Sequence, residues 1–131
     1  MEDTITVLVV EHDQLIQDLI EGALSEGGFE SVVTGSGEEA ITLLKGEIAF
    51  RAVITDINLT GQLDGWEVAR TAREAEPTMP IIYMTGTHGE DWASKGVPNS
   101  TLLNKPFAPA QIVTALSNAI NAASPPAAST Q

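Results

Sequence analysis

The chain contains no cysteine, few basic residues and no long apolar run. The absence of cysteine excludes disulfide bonds and thiolate metal sites. Six Lys and Arg against eighteen Asp and Glu give a formal net charge of −12, which repels the phosphates of nucleic acid and of anionic lipid. No stretch reaches the ~18 apolar residues of a membrane span, and the first ten residues do not resemble a signal peptide. We therefore expect a cytoplasmic protein that binds cations or basic protein surfaces, and neither nucleic acid nor membrane.

The length and composition predict one folded domain. The 131 residues, 43% of them hydrophobic, are enough for a single compact core. Residues 124–131 contain only Ala, Ser, Pro, Thr and Gln, which are too poor in large apolar groups to pack. We expect a domain over residues 1–123 and a flexible tail over residues 124–131.

Short apolar runs alternate with helix-like segments along the chain. The runs at residues 5–10, 30–34, 52–55, 80–85 and 100–103 are typical of buried strands. Helical patterns follow them: from Asp13 as N-cap to Gly27-Gly28, from near Ser36, over 65–75, over 90–95 and over 108–121. Strands that alternate with helices predict an α/β fold, a doubly wound parallel sheet with helices on both faces.

Polar residues stand where these strands end, and in such a sheet the ligand site lies at the carboxyl ends of the strands. They are Glu11, His12 and Asp13 after the first strand, Asp56 after the third, Thr85 after the fourth and Lys105 after the fifth. Clustered carboxylates can hold a divalent cation, and an ammonium and a hydroxyl can bind phosphoryl oxygens. One acid could then accept a phosphoryl group as a nucleophile.

Each of these residues also has a structural interpretation. An isolated Asp after a strand is more often a turn or cap residue, and Asp13 is expected to be the cap. Thr85 favours strands, Lys105 before proline suits a solvated turn, and a lone histidine such as His12 is more often a surface residue than a ligand. The functional interpretation is favoured because four separate strand ends carry groups that the same chemistry requires.

The motifs VVEHD, ITDINL, LDGWE, MTG and NKPF, in this order, resemble the receiver domain of two-component response regulators over residues 4–121. The resemblance implies a flavodoxin-like, chemotaxis-regulator-like sheet of strand order 2-1-3-4-5, with Asp56 as the phosphoacceptor. It further implies that Thr85 and Lys105 contact the phosphoryl oxygens and that the Lys105-Pro106 bond is cis. The implied Mg²⁺ ligands are Glu11, His12, Asp56 and the backbone carbonyl of Asn58.

Three positions depart from the family pattern. His12 stands where the family has a second acid; because imidazole suits softer metals than Mg²⁺, we expect weak Mg²⁺ binding and a preference for Mn²⁺. The segment between Asp56 and Gly65 is one residue longer than usual and contains Thr60-Gly61 in place of a proline. Leu102 occupies the position of the family's switch aromatic, which predicts a different signalling readout.

These observations predict a phosphoacceptor in a phosphorelay, not an enzyme, that receives its phosphoryl group from a sensor histidine kinase or histidine phosphotransfer protein. We expect it to act without an attached output domain, as a monomer or weak homodimer. One alternative is a degenerate receiver that binds a partner without phosphorylation, which His12 favours. Another is an unrelated metal-dependent phosphatase, although no second acid beside Asp56 is evident as general acid or base.

Overall fold

The structure is a computed structural model that describes residues 4–86 and 89–123. The tail expected at residues 124–131 lies outside the described residues.

Five strands and five α-helices alternate along the described chain. The strands are β1 (Thr6–Val10), β2 (Glu30–Thr34), β3 (Ala52–Asp56), β4 (Ile81–Thr85) and β5 (Thr101–Asn104). The helices are α1 (Gln14–Glu26), α2 (Gly37–Leu44), α3 (Gly65–Ala75), α4 (Trp92–Lys95) and α5 (Pro109–Ala123), and a 3-10 turn, Gly89–Asp91, precedes α4. All strand pairs are parallel and the order is β2-β1-β3-β4-β5, which confirms the predicted fold class.

The central strands are buried on both faces because helices cover each side of the sheet. β3 and β4 are buried along their whole length, and only the first residue of β1 is partly exposed. One face packs against α1 and α5, with Ile20, Leu24, Ile112 and Leu116 as the large buried side chains of those helices. The other face packs against α2 and α3. This two-sided burial explains why the strands are continuous apolar runs without alternation.

Side-chain caps begin the three helices that follow β1, β2 and β3. Asp13 accepts a hydrogen bond from the backbone N–H of Leu15 at 2.9 Å, which confirms the predicted N-cap. Ser36 and Asp64 cap α2 and α3 in the same way. Such caps satisfy amide groups that have no partner within the helix, and thereby fix where each helix starts relative to the sheet edge.

The apolar pattern of α1 is only partly used by the core. Ile20, Ala23 and Leu24 are buried, whereas Leu15 is 79% exposed and Leu19 is 37% exposed. The spacing of apolar residues therefore predicted the helix correctly but predicted a wider buried face than the fold provides.

Among the residues that the structure describes, no helix is long and apolar enough to span a membrane.

Candidate functional site

The parallel sheet brings the polar strand ends to one edge. Glu11 directly follows β1, Asp56 is the last residue of β3, Thr85 is the last residue of β4, and Lys105 directly follows β5. All three of Glu11, Asp56 and Thr85 are buried, with exposures of 0%, 4% and 1%. Buried polar side chains at a strand terminus are uncommon unless they have partners, so their contacts are the key to the site.

Lys105 bridges the two buried carboxylates. Its Nζ donates to Oε1 of Glu11 at 2.9 Å and to Oδ2 of Asp56 at 3.0 Å. Burial by itself lowers the pKa of Lys105, but the hydrogen bonds and charges of Glu11 and Asp56 outweigh it, so the pKa of the ammonium is raised. The lysine is therefore charged at neutral pH and joins residues that are far apart in the sequence.

Glu11 is held by hydrogen bonds to its side chain and to its backbone carbonyl. Its Oε2 accepts from the backbone N–H of Asp13 at 3.0 Å, and its backbone carbonyl accepts from the side chain of Gln17. Burial raises the pKa of Glu11, and the hydrogen bonds from Asp13 and Lys105 only partly oppose that rise. The role of Gln17 could not be predicted from the sequence, because a glutamine in the first turns of a helix carries no distinguishing signal.

The donor atoms at this edge suit a divalent cation. Ligand atoms of Glu11, His12 and Asp56 all lie within 4.8 Å of one another. When both carboxylates are ionised, the single ammonium of Lys105 leaves one negative charge without compensation in a largely buried site. A bound cation would offset that charge, and oxygen-rich sites of this kind favour Mg²⁺ or Mn²⁺.

His12 and Asn58 are the exposed members of the predicted set of metal ligands. The side chain of His12 is 51% exposed, and its Nδ1 is 3.8 Å from Oε2 of Glu11. Asn58, two residues beyond the end of β3, is exposed. Both residues are thus accessible to solvent, unlike Glu11 and Asp56.

The backbone around Lys105 aligns it with β4. Its backbone N–H donates to the carbonyl of Thr85 at 2.8 Å, and its bond to Pro106 is cis, as the resemblance implied. Thr85 and Lys105 are therefore fixed side by side at the edge that carries Asp56.

The position of the family's switch aromatic has an aromatic neighbour on the adjacent strand. Leu102 pairs in register with Tyr83 of β4, and both pack on the core that α3 covers. The Tyr83 ring lies 4.8 Å from the ring of Trp66, and its hydroxyl accepts from the N–H of Val97 at 3.1 Å. This arrangement could not be predicted from the sequence, because cross-strand register is a property of the folded sheet.

Comparisons with known proteins agree with this geometry. A model of the response regulator receiver domain family matches residues 7–117. The transcriptional regulatory protein HprR of Escherichia coli strain K12 is 33% identical over 104 residues, which are 77% of this chain and 45% of that protein. A putative NtrX-like response regulator of Rickettsia felis is 34% identical over 84 residues, 63% of this chain and 17% of that protein. The chain thus spans less than half the length of these curated relatives.

Solved structures give the same result. The response regulator receiver protein of Sinorhizobium medicae WSM419 is 42% identical, with a TM-score of 0.89 and coverage of 93% of this chain and 98% of that one. The receiver domain of the sensor histidine kinase PA1611 from Pseudomonas aeruginosa PAO1, whose structure has a magnesium ion coordinated in the active-site cleft, is 25% identical. Its TM-score is 0.78, and the match covers 91% of this chain and 99% of that domain. With its sheet order, its Lys105-bridged acids and a family match over most of its length, this chain belongs to the response regulator receiver domain family of two-component signalling.

Proposed function

We propose that this chain is phosphorylated on Asp56 by a histidine kinase or histidine phosphotransfer protein, and that it signals by binding another protein. The observation that carries the proposal is the contact of Lys105 with both Asp56 and Glu11 at the sheet edge. A lysine held 3.0 Å from a buried aspartate is well placed to bind the oxygens of a phosphoryl group on that aspartate.

The proposed reaction is a displacement at phosphorus. A carboxylate oxygen of Asp56 attacks the phosphorus of a phosphohistidine, an O–P bond forms, and the P–N bond breaks with its electron pair returning to the donor imidazole. The ammonium of Lys105 then donates a hydrogen bond to one phosphoryl oxygen. The hydroxyl of Thr85, on the neighbouring strand, donates a hydrogen bond to another. Because phosphoryl transfer depends mainly on positioning and charge, side chains fixed by strand ends suffice for it.

The same edge is proposed to hold Mg²⁺ through Glu11, His12, Asp56 and the backbone carbonyl of Asn58. The ion would supply positive charge that neutralises the incoming phosphoryl oxygens. Because His12 offers a nitrogen where an acid would offer a charged oxygen, we propose that Mg²⁺ binds weakly and that Mn²⁺ is preferred.

The proposed receiver unit comprises residues 1–123. We propose a partner kinase or phosphotransfer protein whose docking surface is basic, because the chain carries a formal net charge of −12. We further propose that the chain is a monomer or weak homodimer.

A degenerate receiver that binds its partner without phosphorylation is the second candidate. The observation that favours it is His12, because a half-exposed imidazole stands where the family has a carboxylate metal ligand. The burial of Asp56 beside Lys105 favours phosphorylation instead. Two buried carboxylates that share one lysine have a high desolvation free energy, which a purely structural role would not require.

Labelling with a small phosphodonor distinguishes the two candidates. We expect acetyl phosphate with Mn²⁺ or Mg²⁺ to add one phosphoryl group to the parent protein and none to Asp56→Asn, as measured by intact mass. Lys105→Met should slow the labelling strongly but keep the site. Label that persists in Asp56→Asn would show that the site is wrong, and an unlabelled parent under both metals and with a panel of kinases would support the degenerate receiver.

A further inference from the structure

The loop between β3 and α3, residues 58–64, is fastened to the start of α2. Thr60 forms a parallel bridge with Ser36, the N-cap of α2. Two residues further along each of these two segments, Oε2 of Glu38 accepts a hydrogen bond from the backbone N–H of Gln62 at 3.0 Å. The loop thus contacts another element through its backbone, although Thr60, Gly61 and Gln62 are themselves exposed.

Close backbone approaches show that this fastening is specific. Gly61 has a φ of +93°, and a Cβ there would lie 2.9 Å from Oε1 of Glu38. A Cβ on Gly37 would lie 3.0 Å from the carbonyl oxygen of Leu63. Backbone N–H groups, foremost that of Gln62, lower the pKa of Glu38, so its carboxylate is ionised at neutral pH.

The far end of the loop is tied to the phosphorylation strand. The N–H of Gly65 donates to the carbonyl of Ile57 at 2.9 Å, which closes the loop beside Asp56. Asn58 follows Ile57 directly, so its backbone carbonyl belongs to a segment whose two ends are held by β3 and by α2. The bridge to Ser36 and the hydrogen bond to Ile57 are backbone contacts, whereas the hydrogen bond from Gln62 to Glu38 has an ionised carboxylate as its acceptor.

We propose that Glu38 is a positioning residue that holds the loop of residues 58–64 in the conformation in which the Asn58 carbonyl can bind a metal ion. The proposal rests on the metal site proposed above. From the sequence alone, Glu38 is an acid in the first turn of α2, where its negative charge, like that of Glu39, interacts favourably with the helix dipole. Its direct bond to the loop amide gives it this second role.

The test compares Glu38→Ala and Glu38→Gln with the control Glu47→Ala. Glu47 is an exposed acid in the connection between α2 and β3, so its removal makes the same change in net charge. Hydrogen exchange of residues 58–64 is measured by mass spectrometry without metal, and binding of Mg²⁺ and Mn²⁺ is measured by tryptophan fluorescence. Thermal unfolding of each variant shows whether it is folded.

We expect faster exchange of residues 58–64 in Glu38→Ala, with metal affinity lowered about threefold or more, because an ionic hydrogen bond to the loop is lost. Glu38→Gln, whose amide oxygen still accepts one hydrogen bond, should lie between Glu38→Ala and the parent. Glu47→Ala should match the parent in both measurements.

Unchanged exchange in Glu38→Ala would overturn the proposal, and so would faster exchange with unchanged metal affinity. If Glu38→Ala does not fold, Glu38→Gln decides by the same criteria. A parent that binds neither metal would also overturn it. Phosphodonor labelling of the parent is read separately, so failure of the positioning role and failure of the phosphoacceptor role give different results.

Discussion

His12 is the residue that sets this chain apart at the site. Its side chain is half-exposed and lies 3.8 Å from the carboxylate of Glu11, close enough to share an ion with it. A neutral imidazole offers Mg²⁺ a weak ligand, whereas an aspartate at the same position would add a negative oxygen. We therefore expect the identity of this one residue to affect metal preference more than the fold.

We predict that His12→Asp binds Mg²⁺ about tenfold more tightly than the parent at neutral pH, because a direct carboxylate contact contributes about 1.4 kcal/mol or more. The parent should prefer Mn²⁺ to Mg²⁺, and that preference should shrink in the variant. Metal titrations followed by tryptophan fluorescence measure both effects.

The control for this prediction is His12→Asn, which removes the imidazole without adding charge and should not tighten Mg²⁺. Equal Mg²⁺ affinities for the parent and His12→Asp would contradict the prediction and assign His12 a purely structural role.

At the scale of the elements, the start of α3 is pressed against the end of β3. A Cβ added to Gly65 would lie 2.2 Å from the carbonyl oxygen of Asp56 and 2.8 Å from Cα of Ile57. No side chain fits there unless the helix or the strand moves. This contact fixes how the helix that follows the loop meets the strand that carries Asp56.

We predict that Gly65→Ala lowers the free energy of unfolding by about 2 kcal/mol or more. The added methyl group would overlap the backbone of Asp56 and Ile57, so β3 or α3 would have to shift out of its packed position. The same substitution at Gly22 is the control, since Gly22 is in the middle of α1 with nothing within 4 Å of an added Cβ. Gly22→Ala should raise the free energy of unfolding by about 0.5–1 kcal/mol through helix propensity. Urea denaturation measures both, and equal effects of the two substitutions would disprove the steric argument.

At the scale of the whole molecule, the charge is strongly one-sided. Eighteen acids and six bases give a formal net charge of −12, and phosphorylation would add further negative charge. Long-range repulsion should keep the protein away from polyanions and steer it toward basic protein surfaces.

We predict that the purified chain does not retard duplex DNA in a gel-shift titration at about 0.15 M salt, either before or after treatment with phosphodonor. A known basic DNA-binding domain, run in the same gel, is the positive control for the assay. Specific retardation of DNA by the parent chain would contradict the prediction and reveal a basic surface that the net charge conceals.

The order of the elements and the chemical identity of the strand ends could be predicted from the sequence. The apolar runs of β1, β3 and β4 have no alternation because both of their faces are buried, so the parallel sheet could be predicted from them. Asp56 and Thr85 could be placed at one edge because parallel strands all end on the same side. The motif resemblance then supplied their expected roles and the strand order.

The contacts between side chains of different elements could not be predicted from the sequence. The bridge of Lys105 to Glu11 joins residues 94 positions apart, and the bond from Gln62 to Glu38 joins residues 24 positions apart. Leu15 and Leu19 fit the apolar spacing of α1 yet stay exposed, because the sheet and α5 together cover a narrower face of that helix than its apolar pattern offers. Local periodicity specifies elements, whereas contacts between elements depend on their packing distances and register, which no short stretch of sequence encodes.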